Sequence, residues 1–155
     1  MDQARVVEIF IGPDEGGPVS TQETVTAVAG AGLEGDRYFQ GDKPPEQRDP
    51  TEEITLVGIE GIRAAAEESG LDITPADIRR NIVTEGVDIQ ELIGKKFWVG
   101  DVQIEGLEDN PACAHLQKLA GKQLLKPMVR RGGIRGRIVS GGVIKRGDAI
   151  RLGDS

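Results

Sequence analysis

Phe97-Trp98-Val99-Gly100-Asp101-Val102-Gln103-Ile104-Glu105 decides how the chain is read. Apolar runs flank a Gly-Asp pair, the composition of a tight hairpin turn, and apolar and polar residues alternate after it. The end of the chain repeats the theme with Ile138-Val139, Gly141-Gly142, Val143-Ile144, Gly147-Asp148 and Ala149-Ile150-Arg151-Leu152. Further β-branched runs are expected as strands at Arg5-Val6-Val7-Glu8-Ile9-Phe10-Ile11, Val25-Thr26-Ala27-Val28, Ile54-Thr55-Leu56-Val57 and Ile82-Val83-Thr84. Helices are inserted between them. Ile59, Ile62, Ala65 and Ala66 recur at helical spacing before Gly70, and Thr74-Pro75 starts a shorter helix that leads to Arg79-Arg80-Asn81. Ile89, Leu92 and Ile93 suggest one more turn, and residues 127–131 another short helix. Strands outnumber helices, so the expected fold is mostly β with peripheral helices (α+β), closed as a β-barrel, in one domain spanning residues 1–155.

Composition narrows the class. The 155 residues suffice for a core without disulfides, and the single cysteine excludes an internal disulfide framework or a Cys-rich zinc site. No apolar run approaches a membrane span, and the N-terminus, with Asp2 and no apolar stretch after a basic start, does not resemble a signal peptide. A free thiol without an export signal fits a reducing cytoplasm. Residues 1–117 carry 9 Lys+Arg against 24 Asp+Glu, whereas residues 118–155 carry 10 against 2. That basic tail has no aromatic residue for base stacking and the protein as a whole is acidic, so no nucleic-acid partner is expected. The tail is expected to pair with the acidic body, to supply arginines to a small anion, or both.

Gly30-Ala31-Gly32-Leu33-Glu34-Gly35 spells the dinucleotide fingerprint, but Asp36 to Pro45 leave no room for the helix that the fingerprint needs. The glycines are better read as an irregular loop that aims Asp36 and Arg37. Residues 40–53 are polar and proline-containing, hence an exposed loop.

Asn110-Pro111-Ala112-Cys113-Ala114-His115-Leu116 holds the only cysteine and the only histidine. It reads as a helix capped by Asn110, with Pro111 at the first helical position and Gly121 closing the far end. Cys113 would then sit in the first turn, where the dipole favours a reactive thiolate or a soft-metal ligand. Residues two apart on a helix face different ways, so His115 is not expected to serve Cys113 as a base. Its own role stays open. The thiol is matched instead with Arg37, with Arg79 and Arg80 at a helix–strand junction, and with Arg130 and Arg131 before Gly132-Gly133. Such arginines next to glycine turns can present planar forks to phosphate.

Several of these segments resemble the MOSC family, the molybdenum-cofactor sulfurase C-terminal domain. They are Gly32-Leu33-Glu34-Gly35-Asp36-Arg37-Tyr38; Arg80-Asn81-Ile82-Val83-Thr84-Glu85-Gly86, followed by Leu92, Gly94 and the Gly100 hairpin; the Cys-x-His-Leu segment; Arg131-Gly132-Gly133; and residues 142–148. The resemblance spans roughly residues 4–152. It implies a β-barrel whose single cysteine ligates molybdenum in a pterin cofactor (molybdopterin) or carries sulfur as a persulfide. Carried over, Cys113 would be the catalytic residue and metal ligand. Arg37, Arg80, Asn81, Arg131, Gly132 and Gly133 would bind or border the pterin phosphate, with Thr84 assisting. The resemblance leaves three activities: reduction of N-hydroxylated compounds with electrons from a partner, sulfur transfer after loading by a cysteine desulfurase, or cofactor storage. Two positions depart from the pattern: Ala112 stands where proline often precedes the cysteine, and Tyr38 where many relatives place histidine.

Overall fold

The computed structural model describes residues 3–153; Asp2, invoked above, lies outside them. The hairpin forms as expected. Its strands β7 (Lys96–Val99) and β8 (Val102–Asp109) pair antiparallel, and Gly100 turns between them with φ +58°. Phe97, Val99, Val102 and Ile104 are fully buried on one face, as the alternation requires. β9 (Ile134–Ser140) pairs along β8 and also with β5 (Ile54–Gly58). β5 then lies parallel to β6 (Ile82–Glu85), which pairs antiparallel with β1 (Arg5–Ile11).

A parallel pair needs a crossover, and α1 (Ile59–Ser69) and α2 (Pro75–Ile78) supply it. Gly70 ends α1 in the left-handed conformation and Pro75 opens α2, both as the sequence indicates. Because the helices cover one face of β5 and β6, successive residues there enter two different cores. Leu56 and Ile82 join Ile9, Phe97, Ile104 and Ile134 inside the curved sheet. Val57 and Val83 join Ile62, Ile78, Leu116 and Met128 beneath the helices. This explains why these two strands are apolar without alternation.

The expected closed barrel is not formed. With β2 (Ser20–Thr21) and β11 (Ile150–Leu152), the eight-stranded sheet is open, in the order β11-β7-β8-β9-β5-β6-β1-β2. A separate sheet joins β3 (Thr24–Val28), β4 (Gly32–Leu33) and β10 (Gly142–Lys145) in the order β10-β3-β4. The reason lies on the outer edge of β1, which is divided. Phe10 and Ile11 pair with β2. Only the Ala4–Val6 end meets the turn before β11, through an isolated Arg5–Ala149 bridge and the Val6 N–H to Asp148 carbonyl bond at 2.9 Å.

Three local expectations are also corrected. Residues 125–131 form consecutive turns, not a helix. Residues 40–53 are not free surface throughout: Gln40 and Glu53 are buried, and two 3-10 turns, Pro45–Gln47 and Pro50–Glu52, lie between them. The third concerns the cysteine segment and is taken up with the site. Among the described residues no helix is long and apolar enough to cross a membrane.

Candidate functional site

Cys113 does not lie in a first helical turn. It is the N-cap of α3 (Ala114–Ala120), with extended backbone at φ −128°, while Gly121 closes the helix in the left-handed conformation as expected. The expected cap, Asn110, is buried at the end of β8, where its N–H donates to the Gly133 carbonyl at 2.9 Å. The physical reason is competition. The 110–113 backbone is drawn into an extended path by partners from the distant Gly132-Gly133 turn and from Arg80, and the helix starts only after it.

Gly132 and Gly133 make that path possible. A side chain at Gly132 would place Cβ 2.5 Å from the Asn110 carbonyl and 3.0 Å from the Ala112 nitrogen. Gly133, at φ +92°, presses its α-carbon against the Leu56 backbone, and its N–H donates to Gln90 Oε1 at 3.0 Å. Both glycines therefore seat the cysteine segment. Arg80 clamps it from the other side. Its Nε donates to Gly132 O at 2.8 Å, its Nη1 to Ile78 O at 3.3 Å, and its Nη2 to Asn110 O at 2.6 Å and Pro111 O at 3.4 Å. Burial, and next the neighbouring Arg135, pull the pKa of this guanidinium from its ordinary value down to about 10.

The exposed Cys113 opens on a cleft of about 360 Å³. Arg37, Arg79, Arg80 and Arg135 line it, together with Asp36, Tyr38, Asn81, His115, Leu116 and Leu119. Arg37 is aimed by the glycine loop as expected: its N–H and its Nη1 both donate to Gly12 O, at 3.0 and 3.3 Å. Asp36 Oδ1 accepts the Gly12 N–H at 3.0 Å and stands 3.8 Å from Arg37 Nη1. The Arg37 guanidinium also lies 4.5 Å from the centroid of the Tyr38 ring, which is half exposed at the rim. Arg79 caps α2 with φ +65°, an uncommon left-handed conformation for a residue with a side chain. Burial and then repulsion from Arg37 hold its guanidinium below the ordinary value. Arg37 Nε and Arg79 Nη2 are buried and have no hydrogen-bond partner in the protein.

Not every expected site residue reaches this cleft. Asn81 borders it, but its side chain is engaged by the Thr55 N–H and hydroxyl and donates to Phe10 O. Thr84 is fully buried, with its hydroxyl directed to Val57 O at 3.3 Å. Arg131 pairs with Glu68, donates to Pro127 O, and lines a second, more open cleft of about 410 Å³ with Arg130, Gly58 and Gly86. His115 shares the cleft with Cys113, and no hydrogen bond joins the two. Sequence reading passed over Arg135. Its signal was the Ile134-Arg135-Gly136-Arg137-Ile138 alternation, which turns Arg135 away from the sheet core. Among the described residues no group of three or more His, Cys, Asp and Glu could hold a metal ion, so Cys113 is the one soft donor the cleft offers.

Comparison with curated proteins finds no match. Solved structures share the fold: YuaD from Bacillus subtilis superimposes with a TM-score of 0.79 at 19% identity, covering 96% of this chain and 94% of that one. YiiM from Geobacillus stearothermophilus gives 0.71 at 16% identity over 97% of this chain and 75% of that one. YiiM from Escherichia coli gives 0.69 at 17% identity over 100% of this chain and 71% of that one. The family model described as MOSC domain matches residues 46–151, a span that runs from the loop before β5 through the cysteine segment to β11. The chain therefore belongs to the MOSC domain family.

Proposed function

We propose that the protein binds molybdenum cofactor with the Cys113 thiolate as metal ligand, and reduces small N-hydroxylated compounds at that cleft. The observation that supports this reading is an exposed thiol in a cleft walled by four guanidinium groups. A thiolate is a soft metal ligand, and guanidinium forks suit phosphate, so the donor set fits a metal–pterin with a phosphate tail. When bound, the cofactor supplies a redox centre for two-electron chemistry. The chain's own residues do the rest. Arg80 with Gly132 and Gly133 holds the Cys113 segment in place, Arg37, Arg79 and Arg135 provide positive charge for the phosphate, and Leu116 and Leu119 limit water on one wall. Reduction of an N-hydroxyl compound to amine and water consumes two electrons and two protons. A separate electron-donor protein supplies the electrons.

The exposure of Cys113 also favours a second reading, a persulfide carrier loaded by a cysteine desulfurase without bound metal. Anaerobic purification followed by molybdenum and pterin analysis separates the two. One molybdenum per chain, lost in Cys113→Ser, is the expected result. A persulfide on metal-free protein would favour the carrier, and cofactor retained by Cys113→Ser would rule out the thiolate ligand.

A further inference from the structure

Of the seven large apolar side chains exposed among the described residues, three, Leu119, Leu125 and Val129, fall in the stretch that follows Cys113. Leu116, Leu124 and Met128 of the same stretch are buried beneath the helices, so it has a sealed inner side and an uncovered outer one. Cations share that outer side. Lys118, Lys126 and Arg130 are exposed and meet no carboxylate among the described residues, whereas Lys122 and Arg131 are taken by Asp77 and Glu68. Nothing nearby in the sequence offsets them, since residues 110–147 contain no Asp or Glu. The surface adjoins the thiol. Leu119 lines the Cys113 cleft, and along α3 it lies only about 9 Å from the Cys113 cap. Leu125 is held against the same helix by its N–H, which donates to Gln117 Oε1 at 3.1 Å.

We infer that the outer side of residues 118–130 is a docking face for an acidic protein that serves the Cys113 cleft. The proposed function supplies only the cargo, electrons; the sign of the partner's charge follows from the face. That sign is not the default one, because the whole chain carries −7 and on net charge alone would favour a basic partner. Unpaired cations around a few apolar side chains suit a small, electrostatically steered encounter that releases its partner after each transfer. A second copy docked through this face about a two-fold axis would set cation against cation. A single-stranded nucleic acid would need aromatic side chains to stack its bases, and residues 118–155 have none.

The test follows the amide chemical shifts of the full, metal-free chain as oxidised flavodoxin, an acidic electron carrier, is added, with basic cytochrome c as reference. Flavodoxin should shift residues 114–130, with an affinity that falls as sodium chloride rises. Cytochrome c should leave those residues unmoved. Lys118→Glu with Lys126→Glu should weaken flavodoxin binding at least about tenfold, and Leu125→Ser with Val129→Ser should weaken it at constant charge. Lys43→Glu with Lys95→Glu changes the net charge equally at exposed positions outside the segment, and should leave the affinity within about twofold. No flavodoxin shifts in 114–130, or undiminished binding after Lys118→Glu with Lys126→Glu, would overturn the face. Shifts of the same residues that depend on the concentration of the chain alone would assign it to a second copy and overturn the partner. So would an oligonucleotide or phosphatidylglycerol vesicles binding there more tightly than flavodoxin. Docking to a chain that never holds molybdenum would sink the proposed function alone. Stoichiometric molybdenum without docking would sink the docking face alone.

Discussion

Arg80 Nη2 donates to the carbonyl oxygen of Asn110 at 2.6 Å and so ties the start of β6 to the segment that carries Cys113. Arg80→Met keeps the stem and removes every donor, leaving the Asn110 and Gly132 carbonyls short of partners. The variant should lose about 2–4 kcal/mol in urea denaturation. Amide exchange at residues 110–113 should rise more than elsewhere. Uniform exchange across the chain would mean that Arg80 stabilises the fold generally and does not position the cysteine.

Gly132→Ala tests the close approach behind that segment. The added Cβ meets backbone atoms of Asn110, Pro111 and Ala112, which cannot rotate aside as a side chain can. A loss of about 2–3 kcal/mol is expected, with reduced molybdenum content. Gly121→Ala is the comparison: its φ is +69° but nothing lies within 4 Å, so only backbone strain of about 1 kcal/mol applies.

Asp77 carries a pH dependence. Burial raises its carboxyl pKa, but the Lys122 ammonium at 2.7 Å and the Thr74 N–H at 2.9 Å outweigh that and hold it below 3.8. A depressed carboxyl stabilises the fold above its unfolded pKa and loses that contribution as pH falls through the folded value. Wild type should therefore exceed Asp77→Ala by about 1–2 kcal/mol near neutral pH. The gap should close below pH 3.8. A gap that stays constant down to acid unfolding would contradict the Lys122 pairing.

Asp36→Asn has opposite effects on two observables. It removes the carboxylate that pairs with Arg37, so inorganic phosphate, titrated against the thermal midpoint of metal-free protein, should bind a few-fold more tightly. It also weakens the acceptor of the Gly12 N–H, and stability should fall by about 1 kcal/mol. Weaker phosphate binding would show that Asp36 serves mainly to hold Arg37 in place.

The strands, α1 and the Gly-Asp turns were legible because each is set by local chemistry: apolar alternation, Pro75 at a helix start, Gly70 and Gly121 at helix ends. The cysteine helix was misplaced because Asn110 and Pro111 carry strong local start signals, yet bonds from Arg80 and the Gly132-Gly133 turn, both remote in sequence, override them. Arginines were legible as a set but not individually. Nothing local separates Arg79 from Arg80; the left-handed cap of α2 sends one to the cleft and the other to the wall. The basic tail divides likewise, since Lys122, Arg131, Arg137 and Arg146 pair with the acidic body while Arg135 lines the cleft. Barrel closure was over-read because β2 occupies part of the edge that closure would require.

The divided edge of β1 also bears on the order of assembly. On the outer edge its Ala4–Val6 end finds its partners at residues 147–150, more than 140 residues away. Closing so long a loop is entropically slow, and this contact cannot precede synthesis of residues 147–150. The β7–β8 hairpin, whose partners are adjacent, can form within microseconds to tens of microseconds. The outer edge of β1 is thus among the last to be sealed, and substitutions at Val6 or Asp148 should accelerate unfolding while leaving the folding rate nearly unchanged.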